Sequence, residues 1–266
     1  MSNRDLKAME IVEDRTAEAR CDQGFLTLRR LRLRNAYSDG TYSEPYPCDV
    51  VERPGSDAVV SVLYERFEGR VRVLLREASR APIYLRREKS FVHPDPREYR
   101  SILEVVAGMV EASDPPGAEG LQRRAAAEAH EEGGLRVREA SLVPLGGETF
   151  ASPGTTDEKI YFCAAEAALD ERGEPTGDGS VMEEWSRVHL FDLRDAIEMC
   201  RDGRIPDMKT EVALLRLADH VGFVPALDCF TRNLPAELQA RFQPLGLQRA
   251  PDAPDAPEAP EAPEPA

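Results

Sequence analysis

The chain has 266 residues, with 34 Lys+Arg against 49 Asp+Glu and a net charge of −15, a balance that argues against a nucleic-acid surface. Its length holds one core domain and an accessory one. No apolar run approaches the roughly 18–20 residues of a bilayer span, and the polar start MSNRDLKAME is unlike a secretory leader, so a cytoplasmic protein with no membrane partner is expected.

In chain order, residues 1–23 read as a charged helix or a loose arm, and from Phe25 an alternating run turns at Asp39-Gly40, which predicts an antiparallel hairpin. Its Arg29, Arg30, Arg32 and Arg34 are read as solvent-facing. Two apolar strands follow, Ala58–Tyr64 and Arg70–Leu75, around the turn Glu68-Gly69. Residues 84–100 carry Pro94 and Pro96 and are expected to form a loop. Further on, Ile160–Ala165 and Trp185–Leu190 read as strands and Leu193–Arg201 as a helix. Lys209–His220 is apolar at helical spacing through Val212, Leu214, Leu215 and Leu217, and Pro235–Phe242 reads as a short helix. The last residues repeat Ala-Pro-acid and cannot bury a core, so disorder is expected there. These observations divide the chain into an N-terminal arm with a small β unit (1–55), a core domain (56–228), a helical extension (229–250) and the tail (251–266). Cys21, Cys48, Cys163, Cys200 and Cys229 lack metal spacing and read as free thiols.

The stretch from Glu104 to Leu135 carries the chemistry. Glu128, Glu131 and Glu132 stand three and four apart, so a helix places them on one face, where they repel one another without a counter-ion. Mg²⁺ or Mn²⁺ suits such a face, because hard cations take oxygen ligands and bridge carboxylates to substrate phosphates. Gly133-Gly134 then stops the helix. The histidines lack partners at metal spacing, and no nucleophile elbow surrounds Ser141 or Ser152, which disfavours covalent catalysis.

This segment resembles the Nudix box, whose pattern reads Gly, five residues, Glu, seven residues, Arg-Glu, an aliphatic, any residue, Glu-Glu, any residue, Gly, an aliphatic. Glu119 lies at the matching distance, and Glu128 to Leu135 fill the second half in register. Ten residues rather than five separate Gly108 from Glu119, which implies a longer turn around Ser113-Asp114-Pro115-Pro116. The pattern's arginine, which holds one of the glutamates in place, is Ala127 here; Arg124, four residues before Glu128, is a candidate substitute worth about 0.3–0.5 kcal/mol as an exposed pair. Three further stretches resemble the ADP-ribose and nucleoside-diphosphate-sugar pyrophosphatase branch of that superfamily: Glu104-Val-Val-Ala-Gly108, the Ser152-Pro-Gly loop with its following strand, and Asp202-Gly-Arg-Ile-Pro-Asp-Met-Lys-Thr210.

The resemblance implies an α+β fold, a Nudix α/β/α sandwich with a mixed sheet plus a small N-terminal antiparallel β domain that pairs two subunits into a homodimer. It implies metal-dependent hydrolysis of a nucleotide sugar to a nucleoside monophosphate and a sugar phosphate. Glu128, Glu131 and Glu132, with Glu119, would hold the ions; Glu158, Glu131 or Glu132 would act as catalytic residues; Glu104, Gly108, Arg76 and Arg80 would meet the substrate. Two alternatives stand beside it, a Nudix fold that has lost turnover and serves as a ligand sensor or scaffold, and a Nudix hydrolase of a different nucleotide.

Overall fold

The computed structural model describes residue 20, residues 24–177, residue 179 and residues 186–242. The expected N-terminal arm, apart from Arg20, and the acidic Pro-rich tail lie outside these residues. The first element is a two-stranded antiparallel sheet of β1 (Thr27–Leu33) and β2 (Tyr46–Glu52), running from Thr27 opposite Glu52 to Leu33 opposite Tyr46. Asp39-Gly40 lies within their connection, with Gly40 at φ +83°.

The central sheet is mixed and eight-stranded. It contains β3 (Ala58–Phe67), β4 (Arg70–Ala78), β5 (Ile102–Glu104), β6 (Val106–Met109), β7 (Val143–Pro144), β8 (Thr149–Phe150), β9 (Lys159–Glu166) and β10 (Arg187–Asp192). Its order is β10-β4-β3-β9-β7, with β5 on β4, β6 on β3 and β8 on β9. β3 and β9 run parallel and every other pairing in the sheet is antiparallel.

Alternation along β3 sends side chains into two different cores. Val60, Val62 and Tyr64 join Leu193, Ala196 and Ile197 of helix α3 (Leu193–Arg201) and Leu214 and Leu217 of α4 (Met208–Val221), following the short α1 (Ala81–Tyr84) and α2 (Ala118–Glu131) in the chain. Val59 and Leu63 point the other way, to Ala125 and Ala129 of α2. The sheet is thus covered by helices on both faces, the mixed α+β arrangement expected. The small alanines let α2 lie close on the strands, which brings its glutamates down to the sheet.

The helix ends follow local chemistry. Asp192 caps α3 by accepting from Arg194 N at 3.0 Å, Asp207 caps α4, and Gly222 at φ +70° ends α4. The chain closes with a two-stranded sheet, β11 (Phe223–Val224) with β12 (Cys229–Phe230), and one turn of helix, α5 (Ala236–Gln239), shorter than expected.

Residues 89–100, with Pro94 and Pro96, form the loop expected, while the start of the stretch is helical. Pro82 sits in the first turn of α1, where its fixed φ favours a helix, and a 3-10 turn over Leu85–Glu88 follows. Tyr84 is buried with Arg87 stacked on its ring, Arg86 pairs with Asp95, and Arg97 donates to the Gly203 carbonyl. The predicted strand near Trp185 is found at Arg187–Asp192, and Trp185 itself lies outside the described residues.

Candidate active site

Glu128, Glu131 and Glu132 close the C-terminal end of α2, where the helix dipole is already negative and three carboxylates need compensation. Glu128 and Glu132 are 8% and 4% exposed, one turn apart, while Glu131 is half-buried. Both buried groups face β6. A Cβ placed on Gly108 would lie 1.7 Å from Glu128 Oε1, so the absence of a side chain at Gly108 is what leaves room for this carboxylate. Glu132 Oε2 accepts from Ala107 N at 3.1 Å, and Oε1 accepts from Arg76 of β4. Beyond them Leu135 N reaches back to Ala129 O at 2.9 Å, with Gly134 at φ +69°, the glycine stop expected.

The cations around this end are not those a local reading favours. Arg124 Nε and Nη2 donate to Asp114 at 3.0 and 3.2 Å, and Nη2 lies 2.9 Å from Glu111, while its distance to Glu128 is 3.9 Å. Its main contact is therefore the inserted turn, which it fastens to the helix. Gly120 belongs to the same junction, since a Cβ there would meet the Pro115 carbonyl at 1.8 Å. Arg76 is the buried cation on Glu132, with its side chain 3% exposed.

A second cluster adjoins the first. Glu104 of β5 stands opposite Arg76 in the ladder and is 3% exposed. It accepts from Arg80 Nε at 2.9 Å and from Lys209 Nζ at 3.1 Å, and Lys209 also binds Asp207 at 2.8 Å. Thr210 Oγ1 donates to Asp207 at 2.6 Å and accepts from Val105 N at 2.9 Å, which ties the start of α4 to the β5–β6 junction. Burial opposes the charge of Lys209, but the Glu104 and Asp207 carboxylates outweigh it and raise its pKa. Burial by itself would raise the Asp207 carboxyl; the Lys209 charge and the hydrogen bonds from Lys209 and Thr210 override that and hold it below the ordinary value. Arg80 faces Glu104, Glu132 and Asp207 together, and its side chain is 46% exposed, which makes it the cation of the pair Arg76/Arg80 that reaches solvent.

The depressed Asp207 carboxyl gives a signed expectation. Its stabilisation is complete above the unfolded value of about 3.9 and is lost as pH falls through the lower folded value. Asp207→Asn should therefore cost about 1–2 kcal/mol at neutral pH, and its melting curve should converge on wild type as pH drops below about 4. A gap that stays constant from pH 7 to 2.5 would show that Asp207 acts without its charge.

Glu158 lies at the start of β9, near Asp57, whose side chain accepts from Lys159 N. Arg53, just past β2, donates to the Glu158 carboxylate and to the Ser56 carbonyl. Val51 N bonds Thr155 O at 2.8 Å, so the loop carrying Ser152-Pro-Gly is seamed to the small sheet. Sequence reasoning missed Arg53, because its partner lies 105 positions away and nothing local marks the pair. Glu119 is exposed in the first turn of α2, about 13 Å along the axis from Glu128 at the ordinary helical rise, and is not brought to the other glutamates.

Among the described residues no three His, Cys, Asp or Glu side chains converge to enclose a metal ion by themselves. The buried Glu128–Glu132 pair still fits Mg²⁺, which commonly takes one or two protein carboxylates and completes its shell with water and substrate phosphate. Of the free cysteines, Cys163 and Cys200 have thiols pushed by burial to about 11 and about 12, so neither is a nucleophile at neutral pH. No described helix is long and apolar enough to cross a membrane.

No family model matches the chain. By similarity to curated proteins it belongs to the GDP-mannose pyrophosphatase family, whose named members are hydrolases. It is 33% identical over 172 residues to the GDP-mannose pyrophosphatase of Yersinia pestis (strain Pestoides F), a span of 65% of this chain and 74% of that relative. The Yersinia enterocolitica protein is 34% identical over 170 residues (64% and 76%), and the Pectobacterium atrosepticum protein 30% over 152 residues (57% and 73%).

Proposed function

We propose that the protein is a Nudix hydrolase that splits the diphosphate of a nucleoside-diphosphate sugar, with Mg²⁺ or Mn²⁺ as cofactor. The observation that carries this reading is the buried Glu128–Glu132 pair seated against Gly108 and Ala107, in a chain related to GDP-mannose pyrophosphatases. Glu128 and Glu132, with Glu131 at their side, would hold the ion, and Glu119 is too far along the helix to join them. When bound, the ion supplies charge neutralisation at the diphosphate and acidifies water for attack. Arg80, steadied by Glu104, meets a substrate phosphate with its exposed guanidinium. Glu158 takes the proton as water attacks phosphorus in line, and the bond from that phosphorus to the bridging oxygen breaks. The products are a nucleoside monophosphate and a sugar phosphate.

The protein is further proposed to be a cytoplasmic homodimer. Leu33, Tyr37, Tyr42 and Tyr46 are exposed on or beside a sheet of only two strands, and such hairpins need a packing partner. GDP-mannose, ADP-ribose, ADP-glucose and UDP-sugars, each with Mg²⁺ or Mn²⁺ and read by phosphate release after added phosphatase, test the activity. Turnover of at least one, abolished by EDTA, is expected. Full turnover in chelator, or none on the whole panel, would overturn the proposal.

A further inference from the structure

The geometry points to Arg76 as the positioning residue of Glu132, doing from a strand what the Nudix pattern assigns to a helix arginine. This deepens the proposed hydrolase, and its catalytic meaning rests on that reading, whereas the pinning of Glu132 does not.

Arg76 continues the run Val73, Leu74, Leu75, which is 0%, 1% and 0% exposed, and is itself 2% exposed. Leu74 belongs to the core under α2, and strand alternation sends Arg76 to that same face. A guanidinium in such a place is costly to desolvate, so it persists only with a well-made partner. One such partner is Glu132, 56 positions later and equally buried. The other Glu132 oxygen takes the Ala107 amide, so the carboxylate is gripped from both ends, by β4 and by β6. A side chain held in this way loses its rotamer freedom before any ion arrives, which lowers the ordering cost of binding one. The helix offers Glu132 no such clamp, because the pattern position is Ala127, and Arg124 binds Asp114 and Glu111 closely and stands 3.9 Å from Glu128.

The test uses the full-length protein as Arg76→Met, Glu132→Gln, their double variant and Arg76→Lys. Thermal melting and Mn²⁺ binding without substrate are the readouts. Arg76→Met should melt roughly 10 °C lower, because it takes the cation away from a buried carboxylate. The double variant should recover much of that loss, as the neutral amide at 132 does not call for a cation. Mn²⁺ affinity should fall at least about tenfold in Arg76→Met and partly return in Arg76→Lys, since an ammonium lacks the planar fork. If Arg76→Met does not fold, the double variant and Arg76→Lys carry the comparison. Additive melting shifts would refute the pinning, and unchanged or tighter Mn²⁺ binding without Arg76 would mean that it competes with the ion instead of preparing its ligand. A wild-type protein that turns over no nucleotide sugar would remove the proposed activity and leave the melting cycle to decide the pinning.

Discussion

Glu128→Gln is expected to reduce kcat by about 10²-fold or more, a loss of roughly 2.7 kcal/mol of transition-state stabilisation, with the fold intact. The substitution keeps shape and removes one charge from the buried pair. It also leaves Arg124 with its closer partners, Asp114 and Glu111, so no guanidinium is stranded. Glu119→Gln, at the exposed far end of the helix, should behave like wild type. Measuring kcat at saturating Mg²⁺ together with the melting temperature settles the matter. Equal losses at positions 119 and 128 would mean that the motif has been placed in the wrong register.

Gly108→Ala should produce a loss of similar size, about 10²-fold, without touching a carboxylate. The new Cβ would fall 1.7, 1.9 and 2.6 Å from Glu128 Oε1, Cδ and Cγ, so the side chain must leave its buried place. The obstacle is a side chain and not backbone, so the melting temperature should fall only modestly while the ligand is carried out of position. Gly108 has no positive φ, which makes crowding the whole effect. Retained activity would show that Glu128 works from a different rotamer, and a collapse in stability would show that the glycine serves the sheet.

Both predictions draw on what was readable in the chain and on what was not. The helix Leu193–Arg201 was legible to the residue, because its apolar positions repeat at helical spacing. The glutamates at 128, 131 and 132 were legible for the same reason, being a pattern written within one turn. Their partners were not. Arg76 finds Glu132 across 56 positions, and Lys209 finds Glu104 across 105, through a sheet whose strand order no local spacing reveals. A short-range reading therefore turned to Arg124, the nearest cation on the helix; the folded chain keeps it 3.9 Å from Glu128 but gives its closer contacts to the inserted turn. Pro94 and Pro96 marked the loop that the chain forms there, whereas the helical turns just before it, with Pro82 in their first turn and Tyr84 as buried anchor, were not foreseen.

The seam between the small sheet and the Ser152-Pro-Gly loop changes how the chain can be divided. A cut drawn by composition near residue 55 leaves Val51 and Arg53 on one piece and Thr155 and Glu158 on the other. The N-terminal hairpin is thus a brace for the far loop as well as an appendage, and drift in its outward-looking sequence is free only up to those two residues. An isolated core would keep its helices and its glutamate pair while the loop bearing Glu158 lost the strand that sets its height above the sheet.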